Sequence, residues 1–373
     1  MTKPIRVLSV IGTRPEAVKM APVVQRLALT PGIESLVCVT AQHREMLDQV
    51  LNLFELTPDI DLDLMQPDQS LAQITAAIFT HLDPVLRDLK PDWILAQGDT
   101  TTVMVTALLA YYNRIRFGHV EAGLRTGDKF QPFPEEVNRM VAGVTADLHF
   151  APTEWSRQNL LKENIPSERI LVTGNPVIDA LKQAAGKPIP AEISRVLASL
   201  GDSKLILVTA HRRENFGKPL ENICDALKSL AETYGDKIHI FYPVHLNPHV
   251  KNVVYPRLEE YSANITLVPP LDYLPMVHMM KHATLVLTDS GGIQEEAPGF
   301  GVPVLVMRAA TERPEGIAAG TVKLVGTETA DIVAAARKLL DDPLEHARMA
   351  HAANPYGDGH AAERIVKAIL EHA

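Results

Sequence analysis

The chain has 373 residues, of which 46% are hydrophobic and 22% are charged, which is the balance of a folded globular protein. Its length exceeds the roughly 250–300 residues at which one hydrophobic core stops growing, so we expect two domains. The net charge of −9, with Lys and Arg scattered along the chain, argues against non-specific nucleic-acid binding.

Cysteine usage and hydropathy indicate the compartment. Cys38 and Cys224 lie far apart, each in an apolar setting, and are predicted to be buried small hydrophobes. No signal peptide is recognisable, and no apolar run approaches the roughly 18 residues that predict a membrane span. We therefore expect a soluble cytoplasmic protein that has no membrane partner.

Short apolar runs alternate with amphipathic stretches along the whole chain. The first series of predicted strands lies at 5–11, 35–39, 93–96, 117–120, 148–151 and 170–172, and the second at 205–209, 239–242, 265–268, 285–288, 304–306 and 323–325. Predicted helices between them include 15–29, 71–89, 220–231 and 331–340. This alternation predicts parallel sheets with helices on both faces, in two Rossmann-like domains.

The domain boundary is expected after Gly174-Asn175-Pro176. The least regular part of the chain follows, because residues 184–190 are rich in glycine and proline and residues 201–203 are polar. We therefore predict an N-terminal domain at 1–174 and a C-terminal domain at 175–360. Residues 361–373 are predicted to form a helix that packs back on the first domain.

Residues 284–297 carry the most informative motif. An apolar run ends in Asp289-Ser290-Gly291-Gly292, and a helix-forming stretch follows at once. Two glycines allow a close backbone approach, and the N–H groups at a helix start favour an anion such as phosphate. Glu296 lies about 6 Å further along that helix, within reach of a ribose diol. The segment predicts half of a nucleotide-diphosphate site. The alternative is that the glycine pair only opens a tight turn.

In open α/β sheets, ligands bind beyond the carboxyl ends of the strands, so the residues that follow each strand are candidates for a binding site. Arg14 and Lys19 follow the first strand near a helix start, where the dipole disfavours cations. They indicate either a bound anion or solvated side chains. Asp99 and Glu121 each follow a later strand, and Glu135 opens a helix. For Asp99 and Glu135 the structural alternative is a favourable position at a helix start.

The residues that follow the strands of the second half have side chains of a different chemical kind. His211, followed by two arginines, could bind or protonate a phosphate-linked leaving group. His245 lies in a proline-constrained segment, which favours a structural role. Arg313 lies in a loop expected near the glycine pair. This division predicts a cleft in which one wall holds a nucleotide and the other presents acid–base groups. No zinc spacing, phosphate-binding loop motif or nucleophile elbow occurs, so we expect no metal.

An ordered set of segments carries a family resemblance. They are Gly-Thr-Arg-Pro-Glu-Ala at 12–17, Thr-Ala-Gln-His-Arg-Glu-Met-Leu at 40–47, Gly-Asp-Thr-Thr-Thr at 98–102, His-Val-Glu-Ala-Gly-Leu-Arg-Thr at 119–126, His-Arg-Arg-Glu-Asn at 211–215, Thr-Asp-Ser-Gly-Gly-Ile-Gln-Glu-Glu-Ala-Pro at 288–298 and Thr-Glu-Arg-Pro-Glu at 311–315. On these segments the chain closely resembles the bacterial non-hydrolysing UDP-N-acetylglucosamine 2-epimerases over essentially its whole length.

The resemblance implies the GT-B fold, in which two Rossmann-like domains face across a cleft. It implies reversible conversion of UDP-GlcNAc to UDP-ManNAc, through elimination of UDP to 2-acetamidoglucal and re-addition, without a nicotinamide, metal or other cofactor. It also implies a homodimer and a role in supplying ManNAc units for cell-surface polysaccharides. The rival interpretations are a hydrolysing UDP-GlcNAc 2-epimerase, a GT-B glycosyltransferase and a non-catalytic nucleotide-sugar sensor.

The resemblance also implies roles for particular residues. Its catalytic group corresponds to Lys19, Asp99, Glu121, Glu135 and His211. All of these except Glu135 are also expected to bind the substrate. The remaining substrate-binding positions correspond to Arg14, Leu271, Met276, Ser290, Gly291, Gly292, Glu296 and Arg313. Among these, Ser290 and the two glycines are expected to hold the diphosphate, Glu296 the ribose, and the backbones of Leu271 and Met276 the uracil.

Some members of the family bind a second UDP-GlcNAc beside the active site. Gln42, Arg212 and His245 match the positions used for that regulatory site. Glu45 and Asp68 replace a Gln and an Arg of the same site. Two acidic replacements in an anion site argue against this regulation here.

Overall fold

The computed structural model describes residues 3–40, 44–64, 66 and 68–373. The chain divides into two units, the first formed by Met1–Ala180 and Tyr356–Ala373 and the second by Leu181–Pro355. Each unit is built on one parallel sheet whose strands alternate with helices along the chain. The predicted α/β class with two Rossmann-like parts is therefore confirmed.

The sheet of the first unit has seven strands, all parallel. They are β1 (Ile5–Ile11), β2 (Ile33–Val39), β3 (Ile60–Asp61), β4 (Trp93–Gln97), β5 (Arg116–Val120), β6 (Leu148–Ala151) and β7 (Ile170–Val172). Their order is β3-β2-β1-β4-β5-β6-β7, so the strand order reverses between β1 and β4. Such a reversal is the switch point at which doubly wound sheets bind ligands.

The sheet of the second unit has six strands, also all parallel. They are β8 (Lys204–Thr209), β9 (Ile238–Pro243), β10 (Ile265–Val268), β11 (Leu285–Thr288), β12 (Val304–Val306) and β13 (Val322–Leu324). Their order, β10-β9-β8-β11-β12-β13, repeats the order of the first sheet. The second switch point therefore lies between β8 and β11.

Helices connect the strands in both units, and further helices follow the last strand, β13. They are α1 (Arg14–Ala28), α2 (Arg44–Leu53), α3 (Leu71–Leu89), α4 (Thr101–Tyr112), α5 (Glu135–Thr145), α6 (Glu154–Lys162), α7 (Pro176–Ala185), α8 (Ala191–Ser199), α9 (Lys218–Tyr234), α10 (Pro248–Leu258), α11 (Tyr273–His282), α12 (Gly291–Glu296), α13 (Pro314–Ala319), α14 (Thr329–Asp341), α15 (Pro343–Ala350) and α16 (Ala361–Glu371).

Local sequence signals explain where several of these helices begin. Thr13 and Glu16 form a capping box at the start of α1, where Pro15 suits the first turn. Ser70 and Gln73 form a second capping box at the start of α3. In each case a side chain satisfies backbone N–H groups that the helix itself leaves without partners.

Apolar side chains between helices and sheet stabilise each unit. All five residues of β4 are buried, as expected for a central strand that helices cover on both faces. In the second unit, Ile206 and Ile240 of the sheet pack in one core with Leu227 and Leu230 of α9. Burying each such side chain contributes about 1.5–3 kcal/mol, so these contacts dominate the stability of the sheets.

The terminal helix α16 packs against α1 within the first unit. Ala361 and Ala362 donate their backbone N–H groups to the two carboxylate oxygens of Asp179, at 3.2 and 3.0 Å. A carboxylate at this end of a helix pairs exposed donors and is favoured by the helix dipole. Ile365 and Ile369 of the same helix are fully buried.

The predicted strands are all present, with ends that differ by at most two residues. The strand β3 was not predicted, because it has only two residues, one of which is an aspartate. Cys38 and Cys224 are buried and free, as predicted. In the part of the chain that the structure describes, no helix is both long and apolar enough to cross a membrane.

We expect Gly123→Ala to destabilise the protein far more than Gly127→Ala. Both glycines have positive φ, +93° and +80°, so each substitution carries the backbone penalty of roughly 1–2 kcal/mol. A Cβ at Gly123 would also collide with the backbone carbonyl oxygen of Ser156, whereas a Cβ at Gly127 would meet no atom within 4 Å. Thermal unfolding of the two variants measures the difference. Equal losses of Tm would show that the contact between Gly123 and Ser156 is unimportant.

Candidate active site

Each switch point brings two loops together at the carboxyl ends of neighbouring strands. In the first unit they are residues 12–14, after β1, and 98–100, after β4. In the second unit they are residues 210–212, after β8, and 289–292, after β11. Most of the predicted site residues lie in these loops or next to them. Each unit therefore has its own candidate site.

The Lys19–Glu121 pair is central to the first unit's site. Lys19 Nζ donates to Glu121 Oε1 at 2.6 Å and to Oε2 at 2.8 Å. Asn175 Nδ2 donates to Oε1 at 2.9 Å, and Gln97 Nε2 donates to Oε2. Glu121 is buried and has a φ of 62°, which is a strained conformation for a residue with a side chain. These donors offset the cost of burying a carboxylate and fix its position.

Asp99 lies close enough to this pair to interact with it electrostatically. The pKa of Asp99 is raised to about 6, mainly by burial; the charge of Arg139 opposes this rise, the charge of Glu121 adds to it, and the charge of Lys19 opposes it. Arg139 Nη1 lies 3.4 Å from Asp99 Oδ2. The Asp99 side chain keeps 28% of its surface exposed, so a ligand can reach it. A carboxyl group with a pKa of about 6 can exchange protons near neutral pH.

Glu135 and Arg14 are less closely associated with the Lys19–Glu121 pair than Asp99 is. Glu135 is the first residue of α5, is half-buried, and contributes to the raised pKa of Asp99 through its charge. Arg14 is the first residue of α1 and is half-buried. Among the described residues, the Arg14 side chain makes no hydrogen bond or ion pair. The structure therefore groups Lys19, Asp99 and Glu121 closely and leaves Arg14 outside that group.

Glu16 was missed by the sequence analysis. It accepts hydrogen bonds from the backbone N–H groups of Gly12 and Thr13 and from the hydroxyl group of Thr100. Burial raises the pKa of Glu16 to about 7. A Cβ at Gly12 would collide with Thr102, which explains a glycine at this close approach of the two loops. The capping-box spacing predicts the hydrogen bonds that Glu16 accepts at the start of α1. It does not predict the hydrogen bond from Thr100 in the loop after β4.

The glycine pair of the second unit lies beside two guanidinium groups. A Cβ at Gly291 would stand 3.4 Å from Arg313 Cζ and 3.5 Å from Arg212 Nη2, whereas a Cβ at Gly292 would meet no atom within 4 Å. Arg313 is held in place because its Nε donates to Glu295 Oε1 at 2.7 Å. Ser290 is the N-cap residue of α12. Positive charge and backbone N–H groups together make this loop suitable for a phosphate.

The positions expected to bind a nucleoside lie on or next to α11 and α12. Glu296 is buried at the end of α12, and the Tyr273 hydroxyl group donates to its Oε1 at 3.4 Å. Tyr273 begins α11, Leu271 precedes that helix, and Met276 lies within it. Leu271 and Met276 are both half-buried. The bond between Tyr273 and Glu296 thus connects the region expected to bind uracil with the carboxylate expected to bind ribose.

His211 follows β8 at the second switch point. Its ring stacks on that of His245, with the centroids 5.1 Å apart and the planes at 8°. Burial lowers the pKa of His211, and the nearby carboxylate of Asp289 opposes that effect. Asp289, which the sequence analysis did not select, accepts hydrogen bonds from the backbone of His211 and Arg212.

The expected regulatory residues are only partly described. Arg212 and His245 lie beside the glycine pair and His211 respectively. Gln42 lies outside the described residues, as does the side chain of Glu45. Asp68 is exposed. Over residues 3–40, 44–64, 66 and 68–373, no group of three or more His, Cys, Asp or Glu side chains could hold a metal ion.

Comparison with known proteins identifies the family. A family model described as UDP-N-acetylglucosamine 2-epimerase matches residues 25–370. The UDP-N-acetylglucosamine 2-epimerase of Salmonella typhimurium is 55% identical over 374 residues, which cover 99% of each chain. The protein of that name from Escherichia coli strain K12 is 54% identical over 371 residues, which cover 98% of each chain.

A solved structure agrees with this assignment. The crystal structure of UDP-GlcNAc 2-epimerase from Neisseria meningitidis bound to UDP-GlcNAc matches with a TM-score of 0.89 and 48% identity, covering 98% of this chain and 100% of that one. Similarity of sequence and fold thus extends over nearly the full length, which confirms the family resemblance. The chain belongs to the UDP-N-acetylglucosamine 2-epimerase family.

Proposed function

We propose that the chain is a non-hydrolysing epimerase that interconverts UDP-GlcNAc and UDP-ManNAc at C2 of the sugar. The observation that carries this proposal is the cluster of Asp99, Glu121 and Lys19 at the first switch point. Moving a proton off and onto carbon needs groups that ionise near the working pH. The Neisseria meningitidis relative, solved with UDP-GlcNAc bound, supports the choice of substrate.

The proposed chemistry begins with rupture of the bond between C1 and the phosphate oxygen. C2 has no adjacent carbonyl group, so its direct deprotonation would be very unfavourable. When the bonding electron pair leaves with the oxygen, C1 becomes oxocarbenium-like and the C2 proton becomes acidic. Its removal gives UDP and 2-acetamidoglucal. UDP then adds back to C1 while a proton reaches the opposite face of C2, so no water is consumed.

The first unit is assigned the proton transfers. Inversion at C2 needs one acid–base group on each face of the sugar, which accounts for more than one carboxylate among Asp99, Glu121 and Glu135. Lys19 holds Glu121 in a fixed position through two hydrogen bonds. A fixed carboxylate does not have to reorganise during the reaction, and this lowers the barrier.

The second unit is assigned the nucleotide. Ser290, Gly291 and Gly292 would donate backbone N–H groups to the diphosphate, with the Arg313 guanidinium beside them. Glu296 would accept hydrogen bonds from the ribose hydroxyl groups, and the backbones of Leu271 and Met276 would contact uracil. His211 would stabilise the negative charge that develops on the departing diphosphate. We further propose that the product supplies ManNAc units for cell-surface polysaccharides.

We expect deuterium at C2 when UDP-GlcNAc is incubated with the protein in heavy water. Deuterium enters because the group that returns a proton to C2 exchanges with solvent. Mass spectrometry and NMR of the recovered nucleotide sugars measure the label. Release of free ManNAc would instead indicate the hydrolysing reaction. Turnover that requires an added acceptor would indicate a glycosyltransferase.

We expect Asp99→Asn to reduce kcat by about 100-fold or more, which is the usual contribution of an acid–base group, while UDP binding is retained. Asp88→Asn, the same change at an exposed position on α3, is the matched control and should leave kcat unchanged.

In the unmodified protein, kcat/KM should fall as the pH drops through about 6, because protonated Asp99 can no longer accept a proton.

Unfolding measurements separate this loss of activity from misfolding. The folded pKa of Asp99 is raised from 3.8 to about 6, so its ionisation removes stability as the pH rises through that range. Asp99→Asn does not lose this stability. The Tm of the variant minus the Tm of the unmodified protein should therefore be larger at pH 8 than at pH 4. Full activity in the folded variant would contradict the role assigned to Asp99, whereas loss of UDP binding together with Tm would indicate misfolding.

We also propose that the protein forms a homodimer through α4 and α5 of the first unit. These helices pack against each other. Val137, Met140 and Val144 of α5 and Tyr111 and Tyr112 of α4 are large apolar or aromatic side chains that remain exposed. The spacing of the α5 residues places them along one face of that helix. Exposed apolar surface of this kind is typical of a protein interface.

We expect Val144→Asp to convert the dimer to a monomer, because a charge would be buried in the interface without a partner. Leu344→Asp is the matched control: Val144 and Leu344 are each 82% exposed, but Leu344 lies on α15 of the second unit. Sedimentation velocity measures the mass of each variant. A dimer that persists in Val144→Asp, or dissociation in Leu344→Asp, would place the interface elsewhere.

A further inference from the structure

Asp289 is a fully buried carboxylate at the carboxyl end of β11, next to the predicted diphosphate loop. Its Oδ2 accepts hydrogen bonds from the backbone N–H groups of His211 and Arg212, both at 2.8 Å, and from Asn215 Nδ2 at 3.0 Å. Three donors on one oxygen hold the carboxylate in a single orientation.

The other oxygen of Asp289 is arranged differently. Asp289 Oδ1 is buried and, among the described residues, accepts no hydrogen bond. It lies 3.7 Å from Nδ1 of His211. A buried carboxylate oxygen without a donor is costly, and a shift of the imidazole ring by less than about 1 Å would bring Nδ1 within hydrogen-bond distance. The geometry therefore favours a hydrogen atom on Nδ1 that points at Asp289.

The surroundings of His211 restrict how its ring can move. The His245 ring covers one face at 5.1 Å between centroids, with nearly parallel planes. The charged or titratable groups that act on His211 are Asp289, His245 and Arg212. The ring still keeps 39% of its surface exposed. Since Nδ1 faces Asp289, Nε2 lies on the opposite edge of the ring, where a ligand can approach.

We propose that Asp289 is a positioning residue that fixes the Nδ1–H tautomer of His211 and so directs Nε2 toward the phosphate oxygen that leaves C1. The proposal rests on the proposed function, in which His211 assists that departure. When the anionic substrate binds, Nε2 takes up a proton from solvent, and the carboxylate of Asp289 stabilises the imidazolium. Nε2 then gives this proton to the departing phosphate oxygen as the C1–O bond breaks, and it takes the proton back when UDP adds again to C1.

The substitution Asp289→Asn tests this arrangement because it should reverse the tautomer. The three donors around Oδ2 require an oxygen at that position, so the amide NH2 of the new side chain must take the place of Oδ1. It would then donate to Nδ1 of His211, which must become an acceptor and carry its hydrogen on Nε2 instead. The shape of the side chain is unchanged, whereas the chemistry presented to the substrate is reversed.

The primary measurement is 15N NMR of protein labelled on histidine, at a pH where His211 is neutral. The chain has 14 histidines, so the His211 signals are assigned by their loss in a His211→Asn variant. We expect the Nδ1–H tautomer in the unmodified protein and the Nε2–H tautomer in Asp289→Asn. Asn215→Ala is the structural control, because it removes one donor to Asp289 but keeps the carboxylate, and it should leave the tautomer unchanged.

Kinetics give the second measurement. Asp289→Asn should lower kcat by roughly 100-fold or more with a smaller change in KM, and it should move the pH profile of kcat. An Nε2–H tautomer in the unmodified protein overturns the proposal, even if Asp289→Asn fails to fold. An unchanged tautomer in folded Asp289→Asn also overturns it. A reversed tautomer with full activity supports the pairing of Asp289 with His211 and overturns the role assigned to His211 in the reaction.

Discussion

A buried carboxylate that joins the two loops of each switch point is the interaction on which the rest of the site depends. In the first unit, Glu16 follows β1 and accepts from Thr100 in the loop after β4. In the second, Asp289 follows β11 and accepts from the backbone of His211 and Arg212 after β8. Parallel strands carry their loops to one edge but do not fix the loops relative to each other. A buried carboxyl group that accepts a hydrogen bond across that gap does so, because a misplaced loop would leave its buried oxygen atoms without donors.

The surroundings of Glu16 and Asp289 differ, and this difference affects the chemistry of each unit. Burial raises the pKa of Glu16 to about 7, so the first unit contains one carboxyl group that can be neutral near physiological pH beside Asp99, whose pKa is about 6. Two such groups in one region limit the negative charge that surrounds the Lys19–Glu121 pair. In the second unit, three donors converge on one oxygen of Asp289, and the cations Arg212 and Arg313 lie beside Gly291. The first environment favours proton exchange, and the second favours binding of an anion.

Much of this arrangement could be predicted from the sequence, because long apolar runs mark the strands and doubly wound sheets place function directly after them. That rule leads to Asp99, Glu121, His211 and the glycine pair. It could not reveal Glu16 or Asp289 as connectors, since their partners are backbone groups and side chains that lie about 80 residues away in sequence. The short strand β3 was missed because two residues are too few to show a period. The left-handed backbone of Glu121 was equally invisible, since a positive φ at a residue other than glycine is uncommon and the residue type does not reveal it.

The position of α16 has a consequence for the order in which the protein can fold during synthesis. The first unit is discontinuous, because Tyr356–Ala373 complete it after the whole of Leu181–Pro355 has been made. Until α16 emerges from the ribosome, the surface of α1 that it covers stays exposed, and Asp179 lacks the N–H groups of Ala361 and Ala362. The second unit is contiguous and can reach its native contacts earlier on the nascent chain. The unit that is synthesised first is therefore the one that matures last, and chaperones would encounter it with its apolar α16-binding surface uncovered.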